Sequence, residues 1–146
     1  MESEATHEPV LGPLVQHAPR LLRSERLPVP AVRSPNRAAG LILTFEVGRL
    51  WIQPGARSGE LSVALRSPRD ASPPDAVSAD EDEPWWAILG SELRNAWARR
   101  DPSGSVAAIE LQFRPDQANP KIVSLALRNG ELHITSHPKK VGPTKG

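Results

Sequence analysis

The sequence predicts an α+β domain, mostly β: an antiparallel, curled meander of about seven strands with one short helix. Three observations carry this. Apolar and polar residues alternate through most of residues 39–136, the period of a half-buried strand. The turn signals "DPSG" at 101–104 and "NG" at 129–130 punctuate that alternation. A single stretch, "EPWWAILG", departs from it and reads as one or two helical turns, with Pro84 near its start and Gly90 as its stop.

Residues 1–38 read as a disordered Pro/Arg-rich leader. Pro9, Pro13, Pro19, Pro28, Pro30 and Pro35 interrupt them too often for a helix or a central strand, with at most a helical turn in "APRLLRSERL". Arg20, Arg23, Arg26, Arg33 and Arg37 make its second half basic. A single α+β domain then spans 39–136. Its first hairpin, "LILTFEVGRLWIQP", sets Leu41, Leu43 and Phe45 on one face, followed by Leu50 and Ile52. Val47 suits a primed two-residue turn poorly, because a β-branched side chain resists positive φ. A three-residue loop would relieve that but swing Trp51 to the Phe45 face. Keeping Leu50 and Ile52 inside requires the tighter register.

The stretch "ELSVALR" is a third strand, with Leu61, Val63 and Leu65 facing inward. Residues 67–84 form an acidic, proline-rich loop, longer than is usual inside a compact domain. In the helix that follows, Trp85, Ile88 and Leu89 share a side and Trp85 is assigned to the core; Trp86 is displaced from it by about 100° and is either a core margin or an exposed anchor. Residues 93–100 fit a helix through Leu93, Ala96 and Trp97, or a strand in which Leu93, Asn95 and Trp97 alternate with Arg94, Ala96 and Ala98. The strand is preferred, because "DPSG" leads into a clear partner with Ile109, Leu111 and Phe113. The last hairpin, "VSLALRNGELHITS", turns inward Leu125, Leu127, Leu132 and Ile134. At an offset of 82 it shares L-x-[FL]-x-x-G-x-L-x-I with the first hairpin, as a duplication or as any amphipathic hairpin would. Residues 137–146 are a basic tail, whose "GPTKG" lacks the spacing of a phosphate loop.

The pattern Trp85-x-x-Ile88-Leu89-Gly90-x-x-Leu93-x-x-Ala96-Trp97, then Gly104, then Ile109-x-Leu111-x-Phe113, resembles a small bacterial family known as a domain of unknown function. The resemblance covers roughly Leu41 to Ile134. An acidic residue usual in that family after the glycine turn has no counterpart before Glu110. The resemblance implies a fold and a bacterial origin, and no activity.

Composition narrows the function. A chain of 146 residues with 38% hydrophobic content holds one core. A net charge of +1 gives no strong basic footprint for nucleic acid or a membrane surface. The absence of cysteine excludes disulfides and thiolate metal sites. No apolar run approaches the ~20 residues of a membrane span, and the acidic N-terminus is unlike a secretion signal, so a cytoplasmic location is expected. The histidines, at 7, 17, 133 and 137, show no zinc spacing, and no nucleophile elbow or phosphate cradle appears. Glu110 and Glu131 lie on strands, outward and near arginines, as surface charge. No enzyme, metal or cofactor is expected. The reading is a non-catalytic protein-interaction module of inhibitor or immunity type, with another protein as partner and no membrane. Its candidate contact residues are Trp51, Trp86 and His133. The alternative is a nucleic-acid accessory protein acting through the arginine-bearing leader and the lysine tail.

Overall fold

The computed structural model describes residues 8–29, 36–55, 59–82, 84–114 and 121–138. In chain order these form α1 (Glu8–Gln16), β1 (Leu21–Leu27), β2 (Arg37–Ala38), β3 (Gly40–Phe45), β4 (Gly48–Pro54), β5 (Leu61–Arg66), β6 (Val77–Ser78), α2 (Trp85–Ile88), β7 (Glu92–Arg100), β8 (Val106–Arg114), β9 (Lys121–Arg128) and β10 (Glu131–Pro138). The class is α+β and mostly β, as expected. The strands make two antiparallel five-stranded sheets, ordered β5-β4-β3-β1-β6 and β2-β10-β9-β8-β7. The seven strands read from the sequence are β3, β4, β5 and β7 to β10; β1, the two-residue β2 and β6, and α1 add to them.

The two sheets turn their apolar faces toward one another around a single core. Leu43, Leu50 and Ile52 meet Leu111, Val123, Leu125 and Leu132 there, all fully buried. Phe45 of β3 stacks on Phe113 of β8, ring centroids 6.3 Å apart. The chain changes sheet at Ala39: β2 pairs with β10, and one residue later β3 pairs with β1 and β4. Such strand-switching corners are how two sheets share one core without closing a barrel. α1 lies against β5 and β7, one edge strand of each sheet, and buries Leu11 and Leu14.

The stretch from Glu8 to Leu27 corrects the expected disordered leader. β1 sits between β3 and β6, and Leu21 is fully buried. Pro19 and Pro28 fall just outside β1, which leaves a proline-free window long enough for a strand. Pro9 falls in the first turn of α1, where its missing N–H matters least, and Pro13 sits inside that helix. Residues 1–7 and 139–146, with most of the expected basic tail, lie outside the described residues. So do Pro30 to Pro35, which include Arg33.

The first hairpin takes the tighter register, with Leu43 opposite Leu50 and Leu41 opposite Ile52. Phe45 pairs with Gly48, so the turn is Glu46–Val47, and neither residue adopts positive φ. The objection to Val47 therefore does not arise, because the turn is not of the primed type. A Cβ at Gly48 would stand 2.9 Å from the Arg66 carbonyl oxygen, so glycine is needed there by close approach. The last hairpin turns one position later in the shared pattern, at Asn129–Gly130, with φ of 52° and 81°, the primed turn its sequence demands.

β7 and β8 form the preferred hairpin, but with a bulge at Arg94. The extra residue reverses the alternation beyond it. Leu93 and Ala98 are buried, Ala96 packs on the core, and Trp97 and Asn95 face outward. On β5 the inward set tapers: Leu61 is buried, Val63 packs against the core, and Leu65 is 39% exposed on this edge strand of the sheet. Among the described residues no helix is long and apolar enough to cross a membrane.

Candidate functional site

With the core between the sheets, two outward sheet faces and α2 are left to meet partners. On the first sheet, the outward residues of β4 are Arg49, Trp51 and Gln53, opposite the inward Leu50 and Ile52. Register places Ala64, Trp51, Ile42 and Glu25 in one row across four strands, with Arg66, Arg49 and Thr44 in the next. Glu25 and Arg49 are both buried, an uncommon state for charged residues on an outer face. Arg49 Nη2 donates to a Glu25 carboxylate oxygen, Nη1 to the Asp70 carbonyl, and Nε to Thr44 Oγ1 at 3.2 Å. Ser72 Oγ accepts from Arg49 Nη2 at 2.6 Å and lies 2.9 and 3.1 Å from the two Glu25 oxygens. Each guanidinium nitrogen thus has an acceptor and each carboxylate oxygen has a hydroxyl within reach, which is what lets a buried ion pair be tolerated.

Asp70 and Ser72 belong to the acidic, proline-rich insert, which is a covering rather than a protruding loop. It leaves β5 at one edge of the first sheet, crosses the outer face over Arg49 and Glu25, and adds β6 to the opposite edge beside β1. Its far end is bound more firmly. Asp80 Oδ1 accepts from Ser24 N at 2.6 Å and Ser24 Oγ at 2.9 Å, Ala79 N donates to the Ser24 carbonyl, and Asp82 meets Arg26 at 3.5 Å. Trp51 lies on this face, half-buried, with the Arg66 guanidinium 4.6 Å from its ring centre. Its indole Nε1 is buried and has no acceptor among the described residues.

Among the described residues no such strand covers the outer face of the second sheet. One row runs Trp97, Glu110, Ser124, Thr135; a second runs Arg99, Ala108, Ala126, His133, Arg37. Glu110 meets Arg99 Nε at 3.0 Å and accepts from Ser124 Oγ at 3.1 Å. Arg37 donates to both oxygens of Glu131, at 2.5 and 2.9 Å. Those hydrogen bonds hold the Glu131 carboxyl below its ordinary range and raise the Arg37 guanidinium above its own. His133 Nε2 stands 3.9 Å from the same carboxylate.

α2 divides the tryptophan pair. Trp85 is fully buried with Ile88, the plug its spacing predicts, and Trp86 is 58% exposed. Pro84 lines a shallow depression of about 280 Å³ with Asn36, Ile134, Thr135 and Ser136. Trp51, Trp86 and His133 are therefore not one site. Trp51 and His133 both face away from the core, as their matching hairpin positions imply, but they sit on opposite sides of the molecule because each hairpin joined a different sheet. Glu25, Arg49 and Ser72 were not singled out by sequence reasoning. Their signal, a charge alternating with buried leucines, is shared by every surface residue of a strand.

Of the five arginines expected to serve a nucleic-acid arm, the four among the described residues are engaged within the domain. Arg20 Nη1 donates to the Gly90 carbonyl, Arg23 lies 3.6 Å from Glu25, Arg26 meets Asp82 and Arg37 meets Glu131. Among the described residues no group of three or more His, Asp or Glu could hold a metal ion. No protein-family model, curated protein or solved structure matches the chain.

Proposed function

We propose that this chain is a non-catalytic protein-interaction module, of the inhibitor or immunity type, acting in a bacterial cytoplasm. The observation that carries the reading is Trp86, 58% exposed on a short helix whose neighbouring tryptophan is buried. A large indole held outward on a rigid element is the residue type that dominates interface energetics, since it brings much area at low conformational entropy. The carboxylates support the same reading. Glu25, Glu110 and Glu131 each pair with an arginine, and Asp80 holds the Ser24 backbone. Acids committed in this way hold the fold together rather than converge on a substrate. The engagement of Arg20, Arg23, Arg26 and Arg37 within the domain weighs against the nucleic-acid alternative. The resemblance to a bacterial domain-of-unknown-function family belongs to the same proposal and adds no activity to it.

The test is affinity capture from the native cytosol at two salt concentrations, with the full chain and Trp86→Ala in parallel. The expected result is one stoichiometric protein, retained at both salts and weakened by roughly tenfold or more in the variant. Nucleic acid held only at low salt, unaffected by Trp86→Ala, would replace this reading with the electrostatic one.

A further inference from the structure

We infer that residues 67–76 form a strap that opens locally, uncovering the outer face of the first sheet while the domain stays folded. The two ends of the insert are bound in different ways. Beyond residue 76 it is built into the sheet by the β6 pairing, by Ala79 in the core and by the Asp80 and Asp82 contacts. Between 67 and 76 two backbone hydrogen bonds are internal to the span, Asp70 N to the Ser67 carbonyl and Ala76 N to the Pro73 carbonyl. Residues 67–71, 74 and 75 are exposed, and no residue of the span belongs to the core. Arg49 and Glu25 hold this span at two points, the Asp70 carbonyl and the Ser72 hydroxyl.

Opening is inexpensive for a reason visible in the latch. Glu25 and Arg49 remain paired to each other when the strap lifts, and water replaces the Asp70 carbonyl and the Ser72 hydroxyl. No charge is orphaned, so the large penalty for breaking a buried ion pair does not arise. The face beneath has something to gain. Trp51 Nε1 is a buried donor without an acceptor among the described residues, and solvation would satisfy it. Segments with few buried apolar contacts, anchored at both ends, are those that open below the global unfolding free energy. Lying over Arg49 and Glu25, the strap governs access to the face on which Ile42 and Trp51 stand in the Glu25 row, a property independent of which partner the module takes.

The wild-type chain carries its own reference for the test. Trp51 and Trp85 both have buried indole N–H groups, one on the strapped face and one in the core. Their hydrogen-exchange rates are measured by NMR in the wild type and in Ser72→Ala. The expected result is exchange at Trp51 faster than at Trp85 by roughly tenfold or more, because local opening is more frequent than global unfolding. Ser72→Ala then accelerates Trp51 further and leaves Trp85 unchanged. Equal rates in the wild type would overturn the strap. So would a variant that leaves Trp51 unaltered, or one that speeds both indoles alike, since the span then moves only with the whole domain.

Discussion

The two outer faces of this sandwich solve the same problem differently. Each carries a carboxylate on the strand next to one edge and an arginine within reach. On the first sheet, Glu25 and Arg49 lie beneath the insert and are almost sealed, with side chains 10% and 5% exposed. On the second, Glu110 is nearly as buried as Glu25, at 11% exposed, but Arg99 is 63% exposed over it, with no strand crossing above among the described residues. In water an ion pair is screened and contributes little; under a cover the same pair is strong but intolerant of losing one member. The carboxylates are alike in burial and the arginines are not, so the contrast teaches that the acidic insert, the least regular part of the sequence, is what seals the guanidinium of such a pair from water.

The largest expected effect lies on the covered face. Arg49→Ala leaves Glu25 buried without its guanidinium and should destabilise the fold by about 3–5 kcal/mol in urea denaturation. Replacing both residues with apolar ones of similar volume should recover most of that loss. A single-variant loss below about 1 kcal/mol would mean the insert does not desolvate the pair. Next comes the far end of the insert: Asp80→Ala orphans the backbone N–H of buried Ser24, with an expected loss of about 1–3 kcal/mol. Arg99→Ala on the open face should lose no more than about 1 kcal/mol, and less in high salt.

Acid sharpens the comparison on the open face. The folded Glu131 carboxyl titrates below its ordinary range because Arg37 hydrogen-bonds it. Its contribution is therefore fully present above the unfolded value near pH ~4.3 and is lost as pH falls through the folded value. Stability measured across that window should fall less steeply in Glu131→Gln than in the wild type. Asp101, held low by Ser103 and by backbone N–H groups in the "DPSG" turn, adds to the same acid sensitivity. The smallest effect belongs to Trp86→Ala, expected to change stability by no more than about 0.5 kcal/mol while weakening partner capture. A large loss of stability there would recast Trp86 as part of the packing.

Much of the architecture was written in local pattern. The period-2 alternation located seven strands and most of their inward residues, because a sheet with one buried face repeats every second residue whatever it packs against. Asn129–Gly130 and Asp101–Gly104 set their own turns, and the spacing within "PWWAIL" separated Trp85 from Trp86, since those preferences act over a few residues. The sequence by itself determined the class, most of the inward sets and the two strong turns. Tertiary structure decided the rest, where the deciding partner is far along the chain. β1 becomes a strand because β3 and β6 flank it, against the discouragement of nearby prolines. The bulge at Arg94 turns Trp97 outward, a one-residue change that no periodicity shows. Trp51 and His133 part company because each hairpin joined a different sheet. Glu25 finds Arg49 across two strands, and residues 67–76 lie over both, so an apparently idle loop becomes the cover of a buried charge. Short-range preference acts within a turn or a strand; burial and charge pairing depend on which distant segments meet, and only the folded chain brings them together.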